Sequence, residues 1–155
     1  MQRRDFLRGV SITAAGVIAS PSISFAAGNK PKGSNALSYK EALAAVTGSK
    51  TPEVSDKVVL KVPEIAEDGA VVPVTVEVNY PMNENDYVKA IHIFAKKNGN
   101  SRCADAHLSP LNGKAMLSTR IKLGETQEVV ALAELSNGTF LLASQSVKVT
   151  IGGCG

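Results

Sequence analysis

Apolar positions along the chain recur mainly with a period of two. Val58, Leu60 and Val62 form one face of a first strand. Val72, Val74, Val76 and Val78 form a face of the next, with Thr75, Glu77 and Asn79 opposite, so one side is buried and the other wet. Pro73 lacks the donor a central strand needs and predicts an edge or a strand start. Tyr87 to Phe94 is apolar on both faces, Ile91 and Ile93 on one and Val88, Ala90 and Phe94 on the other. One face then meets the core and the other a helix or a partner. Cys103 to Leu108 is a weak strand, and Ala115, Leu117, Thr119, Ile121 and Leu123 alternate clearly. Glu128 to Leu135 and Thr139 to Ala143 pair around Asn137-Gly138, and Ser146 to Ile151 is the last strand, with Val147, Val149 and Ile151 on one face.

One short segment follows a helical period instead. Ser38 and Glu41 have capping-box spacing, and the helix they open runs through about Val46. Tyr39, Leu43 and Val46 then lie on the side facing the domain. Turns fall at Pro63 to Gly69, at Tyr80 to Asp86, at Asn98-Gly99, which suits left-handed turn positions, and at Ser109 to Gly113. The carboxylates Glu64, Glu67 and Asp68 lack a regular ligand ladder and read as a solvated loop, with no metal expected. Seven or eight short strands at this spacing predict an all-β, immunoglobulin-like antiparallel β-sandwich with a short N-terminal helix; an open barrel is the alternative.

Composition narrows the function. The 155 residues suffice for one domain with attachments. The net charge is +3, but Arg3, Arg4, Arg8 and Asp5 supply two of those three charges, and no basic cluster with interleaved aromatics follows. Nucleic acid is therefore not an expected partner. Residues 1–26 read as an export signal: a basic leader, a mildly apolar stretch too short to span a bilayer, and small residues before a cleavage point after Ala26. Arg3-Arg4-Asp5-Phe6-Leu7 resembles the twin-arginine signal, which implies a folded, periplasmic protein without stable membrane insertion. The mature chain then divides into a linker and short helix at 27–56, a sandwich at 57–151 and a tail at 152–155.

The candidate chemistry lies in that tail, Gly152-Gly153-Cys154-Gly155. Glycines flank a single thiol, and from Ile151 the reach is about 10 Å when extended. A catalytic cysteine needs a base held beside it, and nothing adjacent in sequence supplies one. The tail suits a carrier thiol presented to other proteins' active sites. Two other readings stay open for Cys154, a disulfide to Cys103 and a residue in a frayed end. Cys103 itself reads as a buried apolar cysteine, a bridge to a second subunit, or a bridge to Cys154. His92 and His107 are too few for a metal cluster and read as structural or surface residues rather than partners of a cysteine-dependent enzyme.

Gly152-Gly153-Cys154-Gly155 after Val147-Lys148-Val149-Thr150-Ile151 resembles the tail of the SoxY family of sulfur carriers. The leader, the short helix, the stretch from Pro81 to Phe94 and Ser118-Thr119-Arg120-Ile121 extend the resemblance over nearly the whole chain. It implies a covalent substrate carrier rather than an enzyme, with no cofactor beyond sulfur intermediates of thiosulfate oxidation bound to Cys154. Gly152, Gly153 and Gly155 would form its flexible arm. The implied partners are a SoxZ-like small subunit in a heterodimer, a haem-containing SoxXA, a manganese-dependent SoxB, and a sulfane dehydrogenase or equivalent sulfur-removing protein. The family's ending carries two glycines after the cysteine, whereas Gly155 stands alone here. The competing reading is a structural or interaction sandwich stapled by a Cys103–Cys154 disulfide.

Overall fold

A computed structural model describes residues 36–153. The export signal with Arg3 and Arg4, most of the linker, and Cys154 and Gly155 lie outside the described residues. Helix α1 (Tyr39–Thr47) is followed by nine strands: β1 (Glu53–Val54), β2 (Val58–Lys61), β3 (Ile65–Asp68), β4 (Val72–Val78), β5 (Val88–Ala95), β6 (Arg102–His107), β7 (Ala115–Ile121), β8 (Gln127–Leu135) and β9 (Phe140–Ile151). One sheet runs β1-β9-β8-β5-β6, with β3 also paired to β9; the other runs β2-β4-β7.

The predicted two-sheet sandwich is present. Val74 and Val76 of β4 face Ile91 and Ile93 of β5 and Val129, Ala131 and Ala133 of β8 across one apolar core, joined by Leu123 and Val147. Removing such branched side chains from water contributes on the order of 1.5–3 kcal/mol each. Most pairings are antiparallel, but β1 and β3 both join β9 in parallel, at Leu141–Leu142 and at Lys148–Ile151. Pro73 sits where the strand pattern requires. It faces Arg120 of β7, and β2 ends opposite Thr75, so no ladder bond is lost.

Helix α1 opens as its capping box predicts. The Glu41 amide donates to Ser38 Oγ at 3.4 Å, and the Ser38 amide donates to Glu41 Oε2 at 2.9 Å. Gly48 ends the helix with φ 62°, and its N–H reaches the Ala44 carbonyl. Ala42, Tyr39, Leu43 and Val46 cover Phe94, Val130, Leu132 and Phe140 on the outer face of the larger sheet. The edge of the Tyr39 ring meets Phe94 at 5.9 Å between centroids. The second apolar face of β5 is therefore a helix-binding face. Val88 does not share it: the register shifts between Val88 and Ala90, which returns Val88 to the core between the sheets.

Three elements differ from the sequence expectation. Ile65–Asp68 is a strand and not a turn; only Ala66 is buried, because the segment lies along the exposed flank of β9. Phe140–Ile151 is one strand of 12 residues with no break at Ser144-Gln145-Ser146, whose polar side chains leave the backbone ladder to β8 intact. Ile151 is 67% exposed although it continues the alternation of Val147 and Val149, because it runs past the end of β8.

Candidate functional site

The end of β9 is held by β3 and by the segment that crosses from β7 to β8. Beyond the ladder with β8, the Val149 amide donates to Thr126 Oγ1 at 2.9 Å, and the Lys148 amide donates to the Glu64 carbonyl at 2.8 Å. Gly69 then closes a junction of three backbone segments. Its amide donates to the Ile151 carbonyl at 2.7 Å, and its carbonyl accepts from Leu123 N–H at 2.7 Å. The Gly153 amide donates in turn to the Leu123 carbonyl at 2.9 Å. Asp68 sets up the turn, its Oδ1 accepting from the Ala70 amide at 2.8 Å.

Gly152 and Gly153, expected as part of the flexible arm, are thus seated against backbone. A Cβ on Gly152 would lie 2.1 Å from the Gly124 carbonyl oxygen, and one on Gly153 would lie 2.6 Å from the Ala70 backbone. A Cβ on the buried Gly69 would lie 2.2 Å from the Leu123 carbonyl oxygen and 2.8 Å from Gly153 N. Only glycine lets these chains approach so closely. Gly69 is the position at this junction that the sequence pattern missed: at the end of an acidic stretch it has the look of an ordinary turn glycine.

Asn98 fixes the other side of the crossing segment. Its Nδ2 donates to the Lys122 carbonyl at 2.7 Å, and its Oδ1 accepts from the Gly124 amide at 3.2 Å and from the buried Gln127 Nε2 at 2.8 Å. Gly99 is not among the glycines with positive φ, so the Asn98-Gly99 pair serves through the asparagine side chain and not through a left-handed glycine.

Cys103 lies at this end of the sandwich, half-buried on β6 and packed against the core. Its thiol is free. Burial pushes the group up to about 11, only partly offset by hydrogen bonds from the backbone and from Asn98. It is a neutral thiol and a poor nucleophile at ordinary pH.

The two histidines are placed elsewhere. His92 is 2% exposed beside Phe94 on the outer face of β5. Its Nδ1 meets Asp105 Oδ1 at 2.5 Å, and Arg102 Nε donates to both oxygens of the same carboxylate at 2.8 and 3.0 Å. Burial would raise the Asp105 carboxyl, but the bonds from His92 and Arg102 outweigh it and hold the group below its usual range. His92 Nε2 has no partner and no access to solvent. His107 is exposed at the rim, its ring 6.3 Å from that of His92. Among the described residues, no group of three or more His, Cys, Asp or Glu side chains is arranged to hold a metal ion.

A family model described as sulfur oxidation protein SoxY matches residues 43–154. Among solved structures, the sulfur carrier protein SoxY from Chlorobium limicola f thiosulfatophilum is 34% identical; the match covers 72% of this chain and 96% of that one, with a TM-score of 0.62. A superoxide reductase (neelaredoxin) from Ignicoccus hospitalis matches 60% of this chain and 80% of its own at 15% identity, TM-score 0.55. A putative superoxide reductase from Thermotoga maritima matches 64% and 87% at 19% identity, TM-score 0.50. The two reductases share the fold alone. No curated protein sequence matches the chain.

Proposed function

The chain belongs to the SoxY family, and on that premise we propose that it is a periplasmic sulfur carrier whose Cys154 holds the intermediates of thiosulfate oxidation while partner enzymes act on them. The observation that carries the reading is the seat of Gly152 and Gly153. Backbone bonds at the end of β9 hold the chain as far as Gly153, one residue before the thiol, and the groups packed there are mostly backbone. The histidines that a cysteine enzyme would call on are a buried, Asp105-bound His92 and a rim residue.

The chemistry divides between this chain and its partners. In loading, the Cys154 thiolate forms a bond to the sulfane sulfur of thiosulfate, giving cysteine S-thiosulfonate, and two electrons pass to a haem-containing partner. In release, water attacks the terminal sulfonate sulfur within a manganese-dependent partner. The bond between the two outer sulfurs breaks, sulfate leaves, and a persulfide stays on Cys154. A sulfane dehydrogenase or equivalent protein then removes the remaining sulfur. This chain supplies attachment, the anchor and reach, and activation of the thiol falls to the partner's site. A SoxZ-like subunit forms the heterodimer, and the twin-arginine leader at Arg3 and Arg4 takes the folded complex across the membrane.

Intact mass spectrometry before and after reduction tests the reading. Exposure to thiosulfate and the oxidising partner should add a reducible thiosulfonate mass that is absent from Cys154→Ser. If no reducible adduct forms on the wild-type chain, the carrier function is wrong.

A further inference from the structure

A cleft of about 290 Å³ opens between the unpaired edges of β6 and β7. Among the described residues its walls include Asn98, Asn100, Arg102, Cys103, Arg120 and Lys122, and no carboxylate. Alternation on β7 explains the two neighbouring cations: Ile121 turns inward and is buried, so Arg120 and Lys122 both turn outward. Neither Arg120 nor Lys122 has an ion-pair partner among the described residues, whereas Arg102 is tied through Nε to Asp105. The Cys103 thiol is neutral and adds no opposing charge. The cleft is also adjacent to the tail. Asn98 and Lys122 line it, Asn98 binds the Gly124 amide, and the Gly124 carbonyl oxygen is in close contact with Gly152.

We propose that this cleft is a binding site for a sulfur oxyanion, either free thiosulfate or the sulfonate end of a group carried on the tail, held by Arg120 and Lys122 with Asn100 as a neutral donor. The choice of sulfur oxyanion rests on the carrier reading. Guanidinium and ammonium groups both suit tetrahedral oxyanions, and the guanidinium fork can give two parallel bonds to one of them. Because Arg120 and Lys122 are exposed, added salt weakens the site: charges are screened over about 8 Å at physiological ionic strength.

The test has two arms, both read by amide NMR at constant ionic strength. In the first, Cys154→Ser is titrated with sodium thiosulfate against sodium chloride. In the second, the wild-type thiolate attacks an inner sulfur of tetrathionate, forming the S-thiosulfonate on Cys154 as thiosulfate leaves, and the excess reagent is removed. Saturable shifts at residues 98–103 and 120–124, weakened at least tenfold in Arg120→Gln/Lys122→Gln, support the site. Shifts in the first arm assign it to incoming anion, and shifts in the second assign it to the tail's own adduct. Non-saturating shifts in the first arm together with none in the second, or shifts unchanged by the double substitution, overturn it. The first arm does not use the thiol, so a failed carrier function would leave its outcome readable. Both substituted side chains are exposed, and retained spectral dispersion reports the fold.

Discussion

Gly153 and Leu123 are joined by a backbone hydrogen bond of 2.9 Å, although 30 positions separate them and neither lies in a strand. Among the described residues, that bond is the one nearest the thiol along the chain. Its neighbours are backbone atoms and the Val149 side chain, so the seat depends on the absence of side chains at Gly69, Gly152 and Gly153.

Replacing Gly69 with alanine should open the seat. The added methyl meets the Leu123 carbonyl oxygen and the Gly153 amide, and overpacking of this kind costs about 1–3 kcal/mol. Faster hydrogen exchange at residues 151–153 and faster alkylation of Cys154 are expected, alongside a lower urea midpoint. Unchanged exchange at Gly153 would show that the junction does not hold the tail.

Alkylation should separate the two thiols by pH. Burial holds the Cys103 thiol at about 11, so at pH 8 on the order of one molecule in a thousand carries its thiolate. In Cys154→Ser, iodoacetamide labelling of the native protein should therefore be slow. It should rise about tenfold per pH unit toward pH 11, provided the fold persists, as read by mass spectrometry.

Acid stability should depend on Asp105. Its carboxyl is lowered in the folded chain, so the unfolded chain binds more protons as the pH falls. The stability this contributes is fully present above the ordinary aspartate range near about 4. It is lost as the pH drops through the lower folded value. In Asp105→Asn, urea midpoints between pH 2 and 6 should fall less steeply at the acid end than in the wild type.

Phe94→Ala should uncouple α1 from the sheet. Phe94 is fully buried under Tyr39 and the helix, and emptying such a site costs about 3–5 kcal/mol. A reduced urea midpoint with early loss of protection in residues 39–47 is the expected result of exchange measurements.

What could be read from the sequence was whatever a local pattern determines. The valine alternation of β4 and the Ser38–Glu41 box carry their own period and cap, and both elements formed where they pointed. Ile65–Asp68 became a strand because β9 offers it an edge, and its two apolar residues are adjacent and show no alternation. Val88 returned to the core through a register shift, which alternation cannot reveal. The same limit applies near the tail. The Gly-Gly-Cys-Gly ending is where the sequence puts its candidate chemistry, but the seat of Gly152 and Gly153 depends on Gly69 and Leu123, which reach it only through the tertiary fold. The cleft beside it depends on β6 and β7 being edges of different sheets.

The unbroken length of β9 sets how the domain would answer a pull on its tail. Traction on the last glycines runs along the strand axis. It is resisted as shear by eight consecutive rungs with β8, from Gln127–Val147 to Glu134–Phe140. The lone Gly153 bond lies at the loaded end and peels first. Such a tail yields one latch under a light tug while the body transmits the load without unravelling.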